Sequence, residues 1–133
     1  MHVSEMISTH PQVKGKALEV LIRCVEECYA CAQTCTSCAD ACLGEEDPKA
    51  LIDCIRKDLD CADICAATGA MASRRTGSNA EALRAVLRAC AEACRLCGEE
   101  CRKHADMHQH CKVCAEACRD CEQACRAAME QVH

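Results

Sequence analysis

The chain has 133 residues and a formal net charge of −5, with acidic and basic residues interspersed rather than segregated. That length suits one domain with a modest core. With neither a basic patch nor a platform of stacking aromatics, nucleic acid is excluded as an expected partner.

Half of the residues count as hydrophobic, yet the sequence has no Trp and no Phe, and Tyr29 is its one aromatic. Cysteine and alanine supply most of the apolar total. Burying a large aliphatic or aromatic side chain contributes ~1.5–3 kcal/mol, and few are present. Cysteine behaves as a small hydrophobe, so a core of thiols collapses but stays slim. Something beyond ordinary packing is expected to fill the interior.

The first stretch, MHVSEMISTHPQVKGK, lacks the positive start and apolar run of a secretory signal. No apolar segment approaches the ~20 residues that a membrane helix needs. The expectation is a cytosolic protein without membrane association, where many cysteines mean metal or redox chemistry before disulfides. Residues 1–12 have no regular pattern, and Pro11 sits among polar neighbours, so this segment reads as a tail or short turn.

The helical rhythm begins at about Val13 and predicts a first long helix over 13–43. It carries Leu18 and Leu21, then Cys24, Cys28, Cys31, Cys35, Cys38 and Cys42 at steps of 4, 3, 4, 3 and 4. Gly44 follows where a helix end wants a left-handed residue. Asp47 and Pro48 then supply an N-cap and a first-turn proline. The second helix, 48–72, carries Leu51, Cys54, Cys61 and Cys65, and Asp58 holds the skipped position in phase with the thiols. SRRTGSN, residues 73–79, is the clearest break, and Ser78 with Glu81 makes a capping box. The third helix, 79–104, carries Leu83, Leu87, Cys90, Cys94, Cys97 and Cys101. The fourth, 107–130, carries Cys111, Cys114, Cys118, Cys121 and Cys125.

Between the last two sets the seam runs through His104 and His108 without losing phase. One continuous helix of roughly 50 residues would span about 75 Å, too long for the other two helices to cover. A turn near Ala105–Met107, with Asp106 and Gln109 as a weak capping pair, is the preferred reading. The expected fold is therefore all-α, an antiparallel up-down-up-down four-helix bundle over 13–133 with a cysteine-lined core.

Residues three or four apart on a helix are surface neighbours, so two thiolates so placed reach a single ion between them. Cysteine as a merely small apolar residue explains one or two positions. It does not explain nearly every seam position on four helices. A disulfide-stapled protein is counted against by strict disulfide geometry and by the cytosolic expectation. Soft thiolates select Cu(I), Zn(II) and iron–sulfur clusters. Zn(II) in an all-sulfur tetrahedron leaves two excess negative charges per site. Iron–sulfur clusters draw their cysteines from loops of a different spacing. Cu(I) with one thiolate is neutral, so an array of many ions grows without accumulating buried charge.

The seams CVEECYACAQTCTSCADAC, CIRKDLDCADIC, CAEACRLCGEEC and CKVCAEACRDCEQAC closely resemble the cytosolic copper storage proteins of bacteria. The resemblance covers about residues 18–129. It implies a four-helix bundle filled by multiple Cu(I) ions, with all eighteen cysteines on metal-lining positions, and assembly into a homotetramer. It also implies exchange with copper chaperones or copper-requiring proteins. Asp58 stands where a cysteine would keep the rhythm, so one site there is differently coordinated or lost.

Alternating helix directions gather Cys42, Cys54, Cys101 and Cys111 at one end, beside His104, Met107, His108 and His110. Leu18, Leu21, Leu83, Leu87 and Met129 form an apolar plug at the other. Imidazole and thioether hold Cu(I) more loosely than thiolate does, so copper is expected to enter and leave at the histidine end, with His104, His108 and His110 as ligands. Met1, His2, Met6 and His10 read as part of an untethered tail rather than a further copper contact. The expected function is copper storage and buffering without catalysis. The alternatives are zinc or general metal sequestration, as in a metallothionein, and a thiol redox protein using a CxxC pair.

Overall fold

The computed structural model describes residues 1–14 and 18–132. Four long helices carry the seams: α2 (Glu19–Leu43), α3 (Ile52–Ser73), α4 (Ala80–His104) and α5 (Gln109–Met129). A short helix, α1 (Val3–Ser8), precedes them. Each long helix packs against two others, α2 on α3, α3 on α4, α4 on α5 and α5 back on α2, which closes an antiparallel four-helix bundle. Short links force this order, since neighbours joined by a few residues must reverse direction. No helix among the described residues is long and apolar enough to cross a membrane.

The seams dictate which face points inward. Positions three and four apart share one face of a helix, so each 4-3 ladder of cysteines buries as a unit. Every cysteine is between 0 and 2 % exposed. Larger side chains fill the end beyond Cys24 and Cys90, where Leu83 and Leu87 are buried, Leu21 nearly so, and Leu18 and Met129 pack against them. Small residues bring the helices close: a Cβ at Gly69 would stand 3.2 Å from the Tyr29 ring, and one at Gly98 3.3 Å from Cys118 Cβ. The lone aromatic is thus accommodated against a glycine rather than inside the thiol core.

The amino-terminal segment departs from the expected tail. Val3 and Ile7, one helical turn apart, make α1 amphipathic, and Ile7 is 3 % exposed in the core cluster. His10 Nε2 meets Thr76 Oγ1 at 3.1 Å, and the Gly77 N–H donates to Gln12 Oε1 at 3.0 Å. The segment is therefore tied to the loop between α3 and α4 and covers the leucine end. Met1 and Met6 stay exposed, and His10 Nδ1 accepts the Gln12 N–H, so these groups form no cluster with the thiols.

Other boundaries also shift. Lys14 takes a positive φ of 55° and Leu18 is the N-cap of α2, so regular helix starts later than Val13; residues 15–17 and 133, inside the expected bundle, lie outside the described residues. Gly44 is right-handed at φ −85°, not left-handed. Pro48–Leu51 forms a 3₁₀ turn before α3 begins, which suits a proline with no N–H to give. Asp47 is the N-cap of that turn, though without a side-chain cap bond, whereas Ser78 does not cap α4: its N-cap is Asn79, whose amide donates to Met71 O. The link between α4 and α5 runs from Ala105 to the N-cap His108.

Candidate metal centre

All eighteen cysteines are free and buried. Their sulfurs form a continuous contact chain along the bundle axis. At the leucine end Cys125 lies 4.0 Å from Cys24 and 3.7 Å from Cys28. Cys65 then meets Cys90 at 3.6 Å and Cys94 at 3.7 Å. In the middle Cys35 meets Cys114 and Cys118, each at 3.7 Å. At the far end Cys54 meets Cys101 at 3.7 Å.

Groups of four sulfurs lie within 4.8 Å of one another: Cys28, Cys90, Cys121 and Cys125 make one, and Cys38, Cys42, Cys54 and Cys111 make another. Between them lie Cys31, Cys65, Cys94 and Cys121; Cys31, Cys35, Cys61 and Cys118; and Cys35, Cys97, Cys114 and Cys118. Cys31, Cys35, Cys118 and Cys121 each belong to two of these groups. Metal–sulfur bonds of about 2.3 Å in a trigonal site place sulfurs about 4 Å apart, so the observed spacing fits an ion between neighbours with little movement. Sharing of sulfurs means that filled sites would bridge. Isolated Zn(II) tetrahedra need four ligands each and leave negative charge in a buried core, whereas bridged monovalent ions do not.

Asp58 interrupts the array and is itself fully buried. Its Oδ1 accepts from Cys97 at 3.1 Å, Cys114 at 3.2 Å and Cys101 at 3.5 Å, and Oδ2 lies 3.9 Å from Cys54. Burial first, and then the neighbouring Cys97, push its carboxyl up to about 9. In the metal-free protein Asp58 is therefore a neutral acid at physiological pH. Burial likewise pushes the Cys42 thiol up to about 11, and raises Cys111. Filling these positions with a cation must release protons, and uptake will weaken in acid.

The three histidines take different roles, with His108 and His110 paired and His104 held by another acid. His110 turns inward: Nδ1 lies 3.4 Å from Cys38 Sγ and 3.6 Å from Cys111 Sγ. Its Nε2 donates to Glu45 Oε2 at 2.8 Å. His108 donates through Nδ1 to the same oxygen at 3.0 Å, and the two rings stack 5.5 Å apart. His104 donates through Nε2 to Glu100 Oε2 at 3.1 Å, and Glu100 also pairs with Lys57 and Lys103. Met107, at 80 % exposure, points into solvent and does not join them. A surface recess lined by Gln33, Thr34, Ser37, Cys38, His110 and Val113 reaches the His110–Cys38 contact from outside. Glu45 carries no periodic signal, and only the meeting of its link with α5 gives it a role, whereas Glu100 stands four residues before His104 on the same helix.

The family model described as Copper storage protein matches residues 18–130. A solved structure of a Streptomyces lividans copper storage protein, Ccsp, loaded with 10 copper equivalents, is 53 % identical with a TM-score of 0.91, covering 98 % of this chain and 99 % of that one. The Cu(I)-bound copper storage protein BsCsp3 is 39 % identical with a TM-score of 0.68, covering 78 % and 92 %. The cysteine-rich protein YhjQ of Bacillus subtilis is 38 % identical over 67 % of this chain and 77 % of its own length. By this match and by its thiol-lined bundle, the chain belongs to the copper storage protein family.

Proposed function

We propose that this chain stores and buffers multiple Cu(I) ions in the cytosol, holding them on the eighteen cysteine thiolates that line its bundle. The observation that carries the reading is the unbroken run of buried sulfurs, several of them common to two four-sulfur groups. An ion received at one end moves inward by exchanging one sulfur for the next, between sulfurs within 4.8 Å of one another in the outermost group and over steps of 3.6–4.0 Å along the core. Each thiol that takes up a Cu(I) gives up its proton, so the core stays close to neutral as it fills. The related Streptomyces lividans protein is described as cytosolic. The reading assigns no catalysis, since every thiol is buried within the bundle.

Assembly into a homotetramer belongs to the same proposal. Ile52 and Leu59, 60 % and 47 % exposed, leave apolar surface on the outer side of α3 in a single chain. Exchange with copper chaperones or copper-requiring proteins would take place at the histidine end, because the opposite end is closed by Leu21, Leu83, Leu87 and α1. His104, His108 and His110 stand at that open end. Replacing all three with alanine is expected to slow both anaerobic loading and chelator-driven removal at least about ten-fold. Rates equal to wild type would remove the histidines from the pathway.

Metal content separates storage of copper from general sequestration. The protein isolated anaerobically from cells grown with both copper and zinc is expected to carry many copper ions per chain and little zinc. A preparation holding a few zinc ions and no copper would favour the metallothionein-like alternative. Helical content without metal is a second discriminator. The seams are apolar even when empty, so the metal-free chain should keep its far-UV helical signal, where a metallothionein-like chain would lose order.

A further inference from the structure

Glu45 lies in the link between α2 and α3, outside every cysteine seam, yet one of its oxygens receives two imidazoles from the start of α5. Both His108 Nδ1, at 3.0 Å, and His110 Nε2, at 2.8 Å, approach Oε2. A carboxylate only accepts, so each nitrogen facing it carries the proton. For neutral His110 this leaves Nδ1 bare, with its lone pair toward Cys38 Sγ at 3.4 Å and Cys111 Sγ at 3.6 Å. The other tautomer would put an N–H where a cation has to sit. His108 is held the opposite way, by its Nδ1, so the one carboxylate selects different tautomers for two neighbouring rings.

We propose that Glu45 is a positioning residue for copper transfer: its hold on His110 Nε2 fixes the tautomer and ring orientation that make His110 Nδ1, Cys38 and Cys111 a mixed nitrogen–sulfur receiving site at the mouth. The assignment rests on the reading of this end as the route for copper. Cys38 and Cys111 already belong to the outermost four-sulfur group, with Cys42 and Cys54, so an ion received there is one exchange step from the array. The recess at Cys38 and His110 gives a donor access to the same atoms. His104 differs: its acid partner, Glu100, is shared with Lys57 and Lys103, and its ring bond runs to that carboxylate.

A structural tie between the α2–α3 link and α5 would need the hydrogen bonds but not the tautomer. Removal of Cu(I) from the loaded full chain by excess bathocuproine disulfonate, followed by stopped flow, is compared for wild type, Glu45→Ala, Glu45→Gln and His110→Ala. The ring state of His110 is read in the metal-free, reduced proteins by long-range proton–nitrogen NMR. A glutamine oxygen still accepts from Nε2, so Glu45→Gln separates the hydrogen bond from the charge. Loss of such an outer partner changes metal handling about 10- to 100-fold. The expected result is removal slowed about ten-fold in both Glu45→Ala and His110→Ala, with Glu45→Gln restored to within about two-fold. His110 is protonated at Nε2 in wild type and Glu45→Gln, and a mixture of tautomers in Glu45→Ala. Slow His110→Ala with wild-type rate and tautomer in Glu45→Ala overturns the positioning role alone. A Glu45→Gln rate as slow as Glu45→Ala also overturns it, since charge rather than tautomer would then act. Wild-type removal by His110→Ala overturns the mouth reading and the positioning role together.

Discussion

Replacing Asp58 with asparagine stabilises the metal-free protein at neutral pH and flattens its stability between about pH 4 and pH 9. The native carboxyl titrates at about 9 instead of 3.8, chiefly because it is buried, so the native state keeps a proton that the unfolded chain releases. A folded value raised in this way gives a contribution fully present below about pH 4 and lost progressively as the pH climbs to 9. While the two states differ by one proton, stability falls by about 1.4 kcal/mol per pH unit. Asparagine keeps an oxygen for Cys97, Cys114 and Cys101 to donate to, without a group to ionise. Urea midpoints of the two reduced, metal-free proteins at pH 5 through 8 should diverge, with the variant increasingly ahead. Parallel profiles would mean that Asp58 is already charged in the native state.

Packing and copper capacity are separable at the leucine end. Leu87 is fully buried there, in a core with few large aliphatic residues. Leu87→Ala should cost about 2–5 kcal/mol, a large part of the 5–15 kcal/mol typical of a domain. One turn on, Cys90 sits 3.6 Å from Cys65 and in the four-sulfur group with Cys28, Cys121 and Cys125. Cys90→Ala removes one small side chain and should cost about 1 kcal/mol, near the centre of the range for point substitutions. Copper capacity should move in the opposite sense, retained in Leu87→Ala and reduced in Cys90→Ala. Denaturant unfolding of the metal-free proteins, with copper analysis of the loaded ones, reads both. A Leu87→Ala cost below about 1 kcal/mol would show that the thiols rather than the leucines hold this end together.

The seams were legible because their spacing and their chemistry agree. A 4-3 ladder can only be one face of a helix, and four ladders of sulfur have one economical way to bury together. The break at residues 73–79 and the turn beyond His104 could be read for the same reason, each lying where the ladder stops or would overrun its partners. Helix α1 could not: six residues with three apolar side chains are too short to establish a period, and its order comes from Ile7 packing on the bundle and from His10 and Gln12 reaching the distant loop. Asp58 was visible as a gap in the rhythm. Its neutrality was not, because that depends on cysteines brought from α4 and α5 to surround it. The inward turn of His110 depends likewise on Glu45, a residue whose link and partner helix meet only in the folded chain.

The central claim, that the bundle interior is one connected store of thiolate-bound Cu(I), is tested most directly by anaerobic Cu(I) titration of the reduced protein against a competing chelator, followed by thiolate-to-copper charge transfer in the near ultraviolet. The absorbance should rise until the bound copper approaches the cysteine count of 18, with the chelator outcompeted until then. Saturation at a few ions per chain, with the remaining thiols still reactive toward a thiol reagent after unfolding, would contradict it.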